Sequence, residues 1–271
     1  IIIHCEDETI MNQMYIKHDF HDLSNYTKIH SEEAELTAIE KIIQLCKSIQ
    51  TPIHIAHVSS SDAIGQIELA KRDCPITCET TPHYIFLNEN RLQKDNKAHY
   101  FLTPPLRSEE CRNYMEIKTS MGYPEILCSN HKAYSDDIYK SFVNDYRSMP
   151  SGMPSLGVLF PLFYDLLVKK HEWDLPKLMK KLSFNPANMA QIYPKKGTIA
   201  VGSDADLVIF DPNGKPRTVT SSLAKQYNAW SDFTTNVEIK EVLLRGTTVV
   251  KNGKLVNEDK RIGQALCDTN I

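Results

Sequence analysis

No apolar stretch in this 271-residue chain approaches the roughly 20 residues a membrane-spanning helix needs. The longest, from Leu159 to Leu167, is broken by Pro161 and Asp165. An excess of one charge sign is also missing. With 31 Lys and Arg against 34 Asp and Glu, nothing draws the chain to phosphate backbones or anionic lipid, which argues against nucleic acid and membrane as partners. Glycine and proline number only 10 and 14, too few for a collagenous or low-complexity chain. The cysteines, at 5, 46, 74, 78, 111, 128 and 267, lack the paired short spacings of a zinc ribbon or a secreted disulfide framework. They read as reduced thiols of a cytoplasmic protein. Ile1-Ile2-Ile3 opens the chain without Met, basic stretch or cleavage pattern, and reads as a strand severed from what preceded it rather than as a signal peptide.

What is present is an alternation of two periods. β-Branched runs at Ile1–His4, Pro52–Val58, Pro75–Glu79 and Pro124–Cys128 each end in polar residues. Between them lie helical patterns: Glu32–Ser48, with Ala34, Ala38, Ile42, Leu45 and Ile49 as its apolar face, then Ser61–Arg72 and Ser108–Met121. Downstream of Asp136, Leu156–Lys170 and Leu175–Leu182 read as helices, and Phe184-Asn185-Pro186-Ala187 opens another. Gly197–Asp211 reads as strand, tight turn, strand. Val237–Leu244 and Thr247–Val250 flank Arg245-Gly246, and Asn252-Gly253 supplies a hairpin turn. The expectation is an α/β chain, with parallel strands and right-handed crossovers over 1–195 and a small β appendage over 196–271.

The chemistry falls where the strands end. His4 closes the first run and His57 the second; Glu79–His83 follows the third and Asn130-His131 the fourth. A lone strand-end His is ordinarily a hydrogen-bonded structural residue. Two of them on adjacent strands, followed by Thr81-Pro82-His83-Tyr84 and Pro104-Pro105-Leu106-Arg107, favour a divalent-metal site at a common mouth. His54 reads as packing, as do Cys5 and Cys128.

The motifs Ile3-His4-Cys5-Glu6-Asp7, His57-Val58-Ser59, Glu79–Tyr84, Pro104–Arg107 and Gly197–Asp206 occur in that order. In them the chain resembles the cyclic-amide branch of the amidohydrolase superfamily, which holds dihydroorotases, dihydropyrimidinases or hydantoinases, and allantoinases. The resemblance implies a (β/α)8 metallo-hydrolase barrel of which residues 1–195 are the carboxyl-terminal half, strands five to eight, and 196–271 the carboxyl-terminal part of a small β-sandwich. It implies hydrolysis of a ring C–N bond in a dihydropyrimidine, hydantoin or dihydroorotate, with zinc or another divalent ion activating water, and His4 and His57 as metal ligands. The family's His-x-His pair and bridging Lys or Asp have no counterpart here, so metal binding is expected to be weak. Half a barrel leaves strand edges that invite a homo-oligomer or another chain.

A second departure concerns the proton. The family places a catalytic Asp where this chain has Asn130, and an amide carries no charge and takes no proton near neutral pH. Thr103 and Tyr134 stand where dihydroorotases have Asn and His, and Ser183–Asp211 reads closer to hydantoinases. The resemblance makes Thr103, His131, Tyr134 and Gly152 candidates for substrate contact. Arg107 has two readings, a fork of donors for substrate or a structural ion pair. His83 is expected to support the site from behind or to pack. Two functions therefore stand side by side: a cyclic-amide hydrolase, or a catalytically inactive amidohydrolase-like subunit or scaffold.

Overall fold

The computed structural model describes residues 1–94, 96–141, 146, 149–221, 227–256 and 261–266; Cys267 lies outside them. Four short strands form one parallel sheet in the order β1 (Ile2–Ile3), β2 (Ile53–Ile55), β3 (Ile76–Thr80), β4 (Ile126–Leu127). The register sets Ile2 beside His54, Ile53 beside Ile76, and Glu79 beside Ile126. The β-branched runs thus become adjacent strands, and their polar ends fall at one end of the sheet. Among the described residues, β1 and β4 are each paired on one side only.

Helices α1 (Glu8–Lys17), α2 (Tyr26–Ile29) and α3 (Glu32–Ile49) lie between β1 and β2, α4 (Ser61–Ala70) between β2 and β3, and α5 (Pro82–Phe86) and α6 (Glu109–Ser120) between β3 and β4. Helix α3 has sharply defined ends. Ser31 Oγ accepts the Ala34 amide at 3.2 Å, acidic residues fill the first turn, and Gln50 closes the helix in the left-handed region. Its buried face is not the expected one. Ala34, Glu35, Ile39, Ile43 and Cys46 are buried, while Leu45 and Ile49 are 54% and 57% exposed. The helix is turned toward Glu35, whose carboxylate has partners in the core. Helix α1, which the sequence reading did not anticipate, buries none of its residues and is set by Asp7 Oδ1 accepting the Ile10 amide at 3.1 Å.

By compactness the chain forms two units, 1–163 with 219–232, and 164–218 with 233–271. The first holds the parallel sheet, and its core includes Ile55, Ile64, Ile67, Ile85, Phe163 and Trp230. The second holds α9 (Leu175–Met179) and α10 (Asn185–Met189), with π-helical turns at Tyr164–Lys170 and Lys180–Phe184. Between the first unit's β4 and these come α7 (Asp136–Ser141) and α8 (Leu159–Phe163). The second unit's sheet pairs β5 (Leu207–Asp211) with β8 (Glu238–Leu244), β8 with β9 (Thr247–Lys251), and β9 with β10 (Lys254–Leu255), all antiparallel. Short β6 (Arg217–Thr218) and β7 (Thr234–Thr235) pair separately. Arg245-Gly246 and Asn252-Gly253 have positive φ at both positions, the geometry of tight hairpin turns. The strand expected at the start of Gly197–Asp211 does not form. Gly197 and Gly202 bend the backbone through positive φ, and Ile199 is 87% exposed. No helix among the described residues is long and apolar enough to cross a membrane.

Candidate active site

His4 and His57 follow β1 and β2, and the parallel register brings their rings together with centroids 5.0 Å apart. His4 Nδ1 and His57 Nε2 face each other at 3.4 Å. His57 lies in the left-handed region at φ 39°, an uncommon conformation for a residue with a Cβ, and so does Asn130 at φ 41° after β4.

Behind the pair stands Glu6, which the sequence reading quoted in a motif but gave no role. His4 Nε2 lies 2.7 Å from Glu6 Oε2, and His30 Nδ1 lies 2.9 Å from Glu6 Oε1. Burial alone would raise the Glu6 carboxyl, but the hydrogen bonds and charge of His30 and His4 outweigh it and hold the carboxyl down at about 2. It is therefore a carboxylate, an acceptor only, and this fixes the direction of every bond around it. His4 donates from Nε2, and in the neutral ring this leaves the lone pair on Nδ1, toward His57. His30 donates from Nδ1, and the Tyr15 hydroxyl lies 3.1 Å from its Nε2. Burial, followed by the neighbouring His4, lowers the pKa of His57 and favours its neutral form.

Tyr15 and His30 also line a cleft of about 600 Å³ with Tyr26, Phe101, Thr103 and Ser151 among its walls. Tyr26 lies against His30, with ring centroids 4.4 Å apart, and its hydroxyl is 2.5 Å from Thr103 Oγ1. Thr103, chosen from sequence as a substrate contact, thus sits in the cleft wall. Neither Tyr15 nor His30 was singled out in the sequence reading. They lie in the helical segment between β1 and α3, and no local spacing links them to His4.

The remaining candidates divide. Arg107 is 4% exposed and donates to Ser59 Oγ at 2.9 Å, to the His30 carbonyl at 2.5 Å and to Glu35 Oε2 at 3.3 Å. Of its two readings the ion pair is the one present, and its donors face into the fold. His131 Nδ1 accepts the backbone amides of Ser155 and Leu156, at 2.9 and 3.0 Å, which ties the β4 loop to that segment. The Tyr134 ring packs edge-on to Tyr139, and Tyr139 Oη donates to the Gly152 carbonyl. At Gly152, φ is 151° and an added Cβ would meet Lys132 Cβ at 2.3 Å, so only glycine fits. His83 is buried with Nδ1 3.0 Å from Thr81 Oγ1, and desolvation, with His131 nearby, pushes its pKa down to about 3. His54 is buried as expected, although Thr77 and Glu79 meet its two nitrogens.

Two facing imidazole nitrogens, one with its tautomer set by a carboxylate, fit two corners of a divalent ion's shell. No group of three or more His, Cys, Asp or Glu side chains among the described residues is placed to complete it.

The amidohydrolase family profile matches residues 131–249. A D-hydantoinase of Ralstonia pickettii is 29% identical over 245 residues, 88% of this chain and 52% of that protein. A dihydroorotase of Ruminiclostridium cellulolyticum is 32% identical over 214 residues, 79% of this chain and 49% of that protein. Among solved structures, dihydropyrimidinase from Brevibacillus agri superposes with a TM-score of 0.87 at 26% identity, over 94% of this chain and 57% of that one. In sequence and fold the chain is similar to the amidohydrolases, and its four βα units to part of their TIM-type barrel. Within that class it is similar to the cyclic-amide branch, the hydantoinases and dihydroorotases. The chain spans about half the length of the curated relatives it matches.

Proposed function

We propose that this chain belongs to a machinery that hydrolyses the C–N bond of a cyclic amide, a dihydropyrimidine or hydantoin ring, with help from zinc or another divalent ion. The observation that carries the reading is the His4–His57 pair at the carboxyl end of the parallel sheet, backed by a Glu6 carboxylate. His4 Nδ1 and His57 Nε2 would hold the ion, which when bound polarises the scissile carbonyl and makes water a better nucleophile near neutral pH. Glu6 orients the His4 ring, and His30 and Tyr15 join that carboxylate to the cleft wall. The cleft, with the aromatic rings of Tyr26 and Phe101 and the hydroxyl of Thr103, offers apolar faces and a few polar groups to a flat ring. His131, Tyr134 and Gly152 shape the β4 side of the mouth.

Incubated with zinc and a dihydropyrimidine or hydantoin, the protein should open the ring, followed as loss of ultraviolet absorbance. Ring opening should stop with a chelator and fall at least about 100-fold in His57→Ala. Ring opening that survives both treatments would refute the metal reading. Asn130 supports a second reading, a catalytically inactive relative, because an amide at that position takes no proton near neutral pH. Zinc retention without ring opening is the result expected of it.

Among the described residues β1 and β4 are each paired on one side, which supports association with another polypeptide. In sedimentation the 271-residue chain should run above its monomer mass of 30.9 kDa. A monodisperse monomer would contradict this.

A further inference from the structure

We propose that Glu6 is the positioning residue of the imidazole pair: it accepts His4 Nε2–H and so holds His4 in the tautomer whose Nδ1 lone pair faces His57, while His30 anchors the other carboxylate oxygen. The consequence for metal rests on the function proposed above; the tautomer does not.

Three observations lead to this. First, the Glu6 side chain is only 2% exposed and its two oxygens have separate partners, His4 at 2.7 Å and His30 at 2.9 Å, so the carboxylate cannot turn without breaking one of them. Second, an imidazole free in water samples both neutral tautomers, and the His4 side chain is 40% exposed, so its own surroundings leave room for either. The Glu6 carboxylate at 2.7 Å discriminates between them more closely than His57 Nε2, 3.4 Å from Nδ1 on the other side of the ring. Were His4 protonated on Nδ1 alone, its Nε2 lone pair would face an anionic oxygen at 2.7 Å, two acceptors in repulsive contact. Third, His30 is held at both ends, by Glu6 on Nδ1 and by Tyr15 on Nε2, and its backbone carbonyl accepts from buried Arg107. The ring that steadies Glu6 is therefore itself fixed to the core. A carboxylate behind a ligand imidazole raises its basicity and fixes its direction, and removing such a group typically weakens metal affinity about 10- to 100-fold.

The test is the histidine tautomer, read by long-range proton–nitrogen correlation on the ¹⁵N-labelled full chain without metal. Wild-type His4 should be the Nε2–H form. Glu6→Met, which keeps the length and removes the acceptor, should populate the Nδ1–H form, whereas Glu6→Gln, whose side-chain oxygen still accepts, should retain the wild-type pattern. A cobalt titration followed by its visible absorption should give an affinity about 10- to 100-fold lower for Glu6→Met than for wild type, with Glu6→Gln in between. A role confined to packing would lower thermal stability without moving the tautomer ratio. Nδ1–H on His4 in the wild type, or an unchanged His4 in Glu6→Met, would overturn the proposal. Should Glu6→Met fail to fold, the wild-type tautomer and Glu6→Gln decide it. If cobalt does not bind the wild type while His4 is Nε2–H and answers to residue 6, the metal reading falls and the positioning role stands.

Discussion

Asn130→Asp should raise ring opening by at least about 100-fold in protein supplied with zinc, the lower bound of what a placed general base contributes. The substitution is nearly isosteric, and it falls at a position suited to either residue. Asn130 sits in the left-handed region at φ 41°, where Asn and Asp are the side chains best tolerated after glycine. No backbone change is needed, and the only new element is a carboxylate that, in the proposed reaction, would accept a proton as water attacks and deliver it to the leaving nitrogen. Rates are compared at fixed zinc and across pH, because a carboxylate base adds an acidic limb that an amide cannot produce. A gain without that limb would point to a changed affinity for substrate. No gain at all, in protein that retains zinc, would favour the scaffold reading over the hydrolase.

The part of this site that could be read in the sequence is the part written in short segments. A β-branched run closed by His is legible without partners, and two such runs joined by a helix give adjacent parallel strands, so the meeting of His4 and His57 follows from local pattern and handedness. Glu6 is two residues from His4 and still escaped a role, because its importance comes from His30 on another element. A period of 3.6 over Glu32–Ile49 fits two apolar faces turned by one residue, and periodicity prefers the one without a charge. The fold chose the face that contains Glu35, and the reason lies in Arg107, 72 residues away. At 197–201, β-branched residues stand between glycines, and a strand needs a neighbour to pair with as well as propensity. The long-range contacts that decide these cases leave no periodic trace.

Arg107→Met should unfold the protein more readily by about 3–5 kcal/mol, the cost of leaving one partner of a buried ion pair uncompensated. The Glu35 carboxylate has only protein around it: Ser59 donates to it from the backbone at 2.8 Å and from Oγ at 2.7 Å, and Arg107 supplies the countercharge. Ser59 Oγ in turn accepts from Arg107 Nε, and the His30 carbonyl accepts from Nη1. Removing the guanidinium therefore strands a carboxylate, a hydroxyl lone pair and a carbonyl at once, each without access to water. At this chain length the melting temperature should fall by about 6–20 °C. Glu35→Gln combined with Arg107→Met should recover part of the loss, since two neutral side chains of similar size remove the unpaired charge. The same cluster holds the backbone of His30, so the single variant should also loosen the anchor behind Glu6, which the tautomer of His4 would register at temperatures where the chain is still folded. A loss below about 1 kcal/mol, together with a raised KM, would instead return Arg107 to the substrate-binding role that its motif suggested.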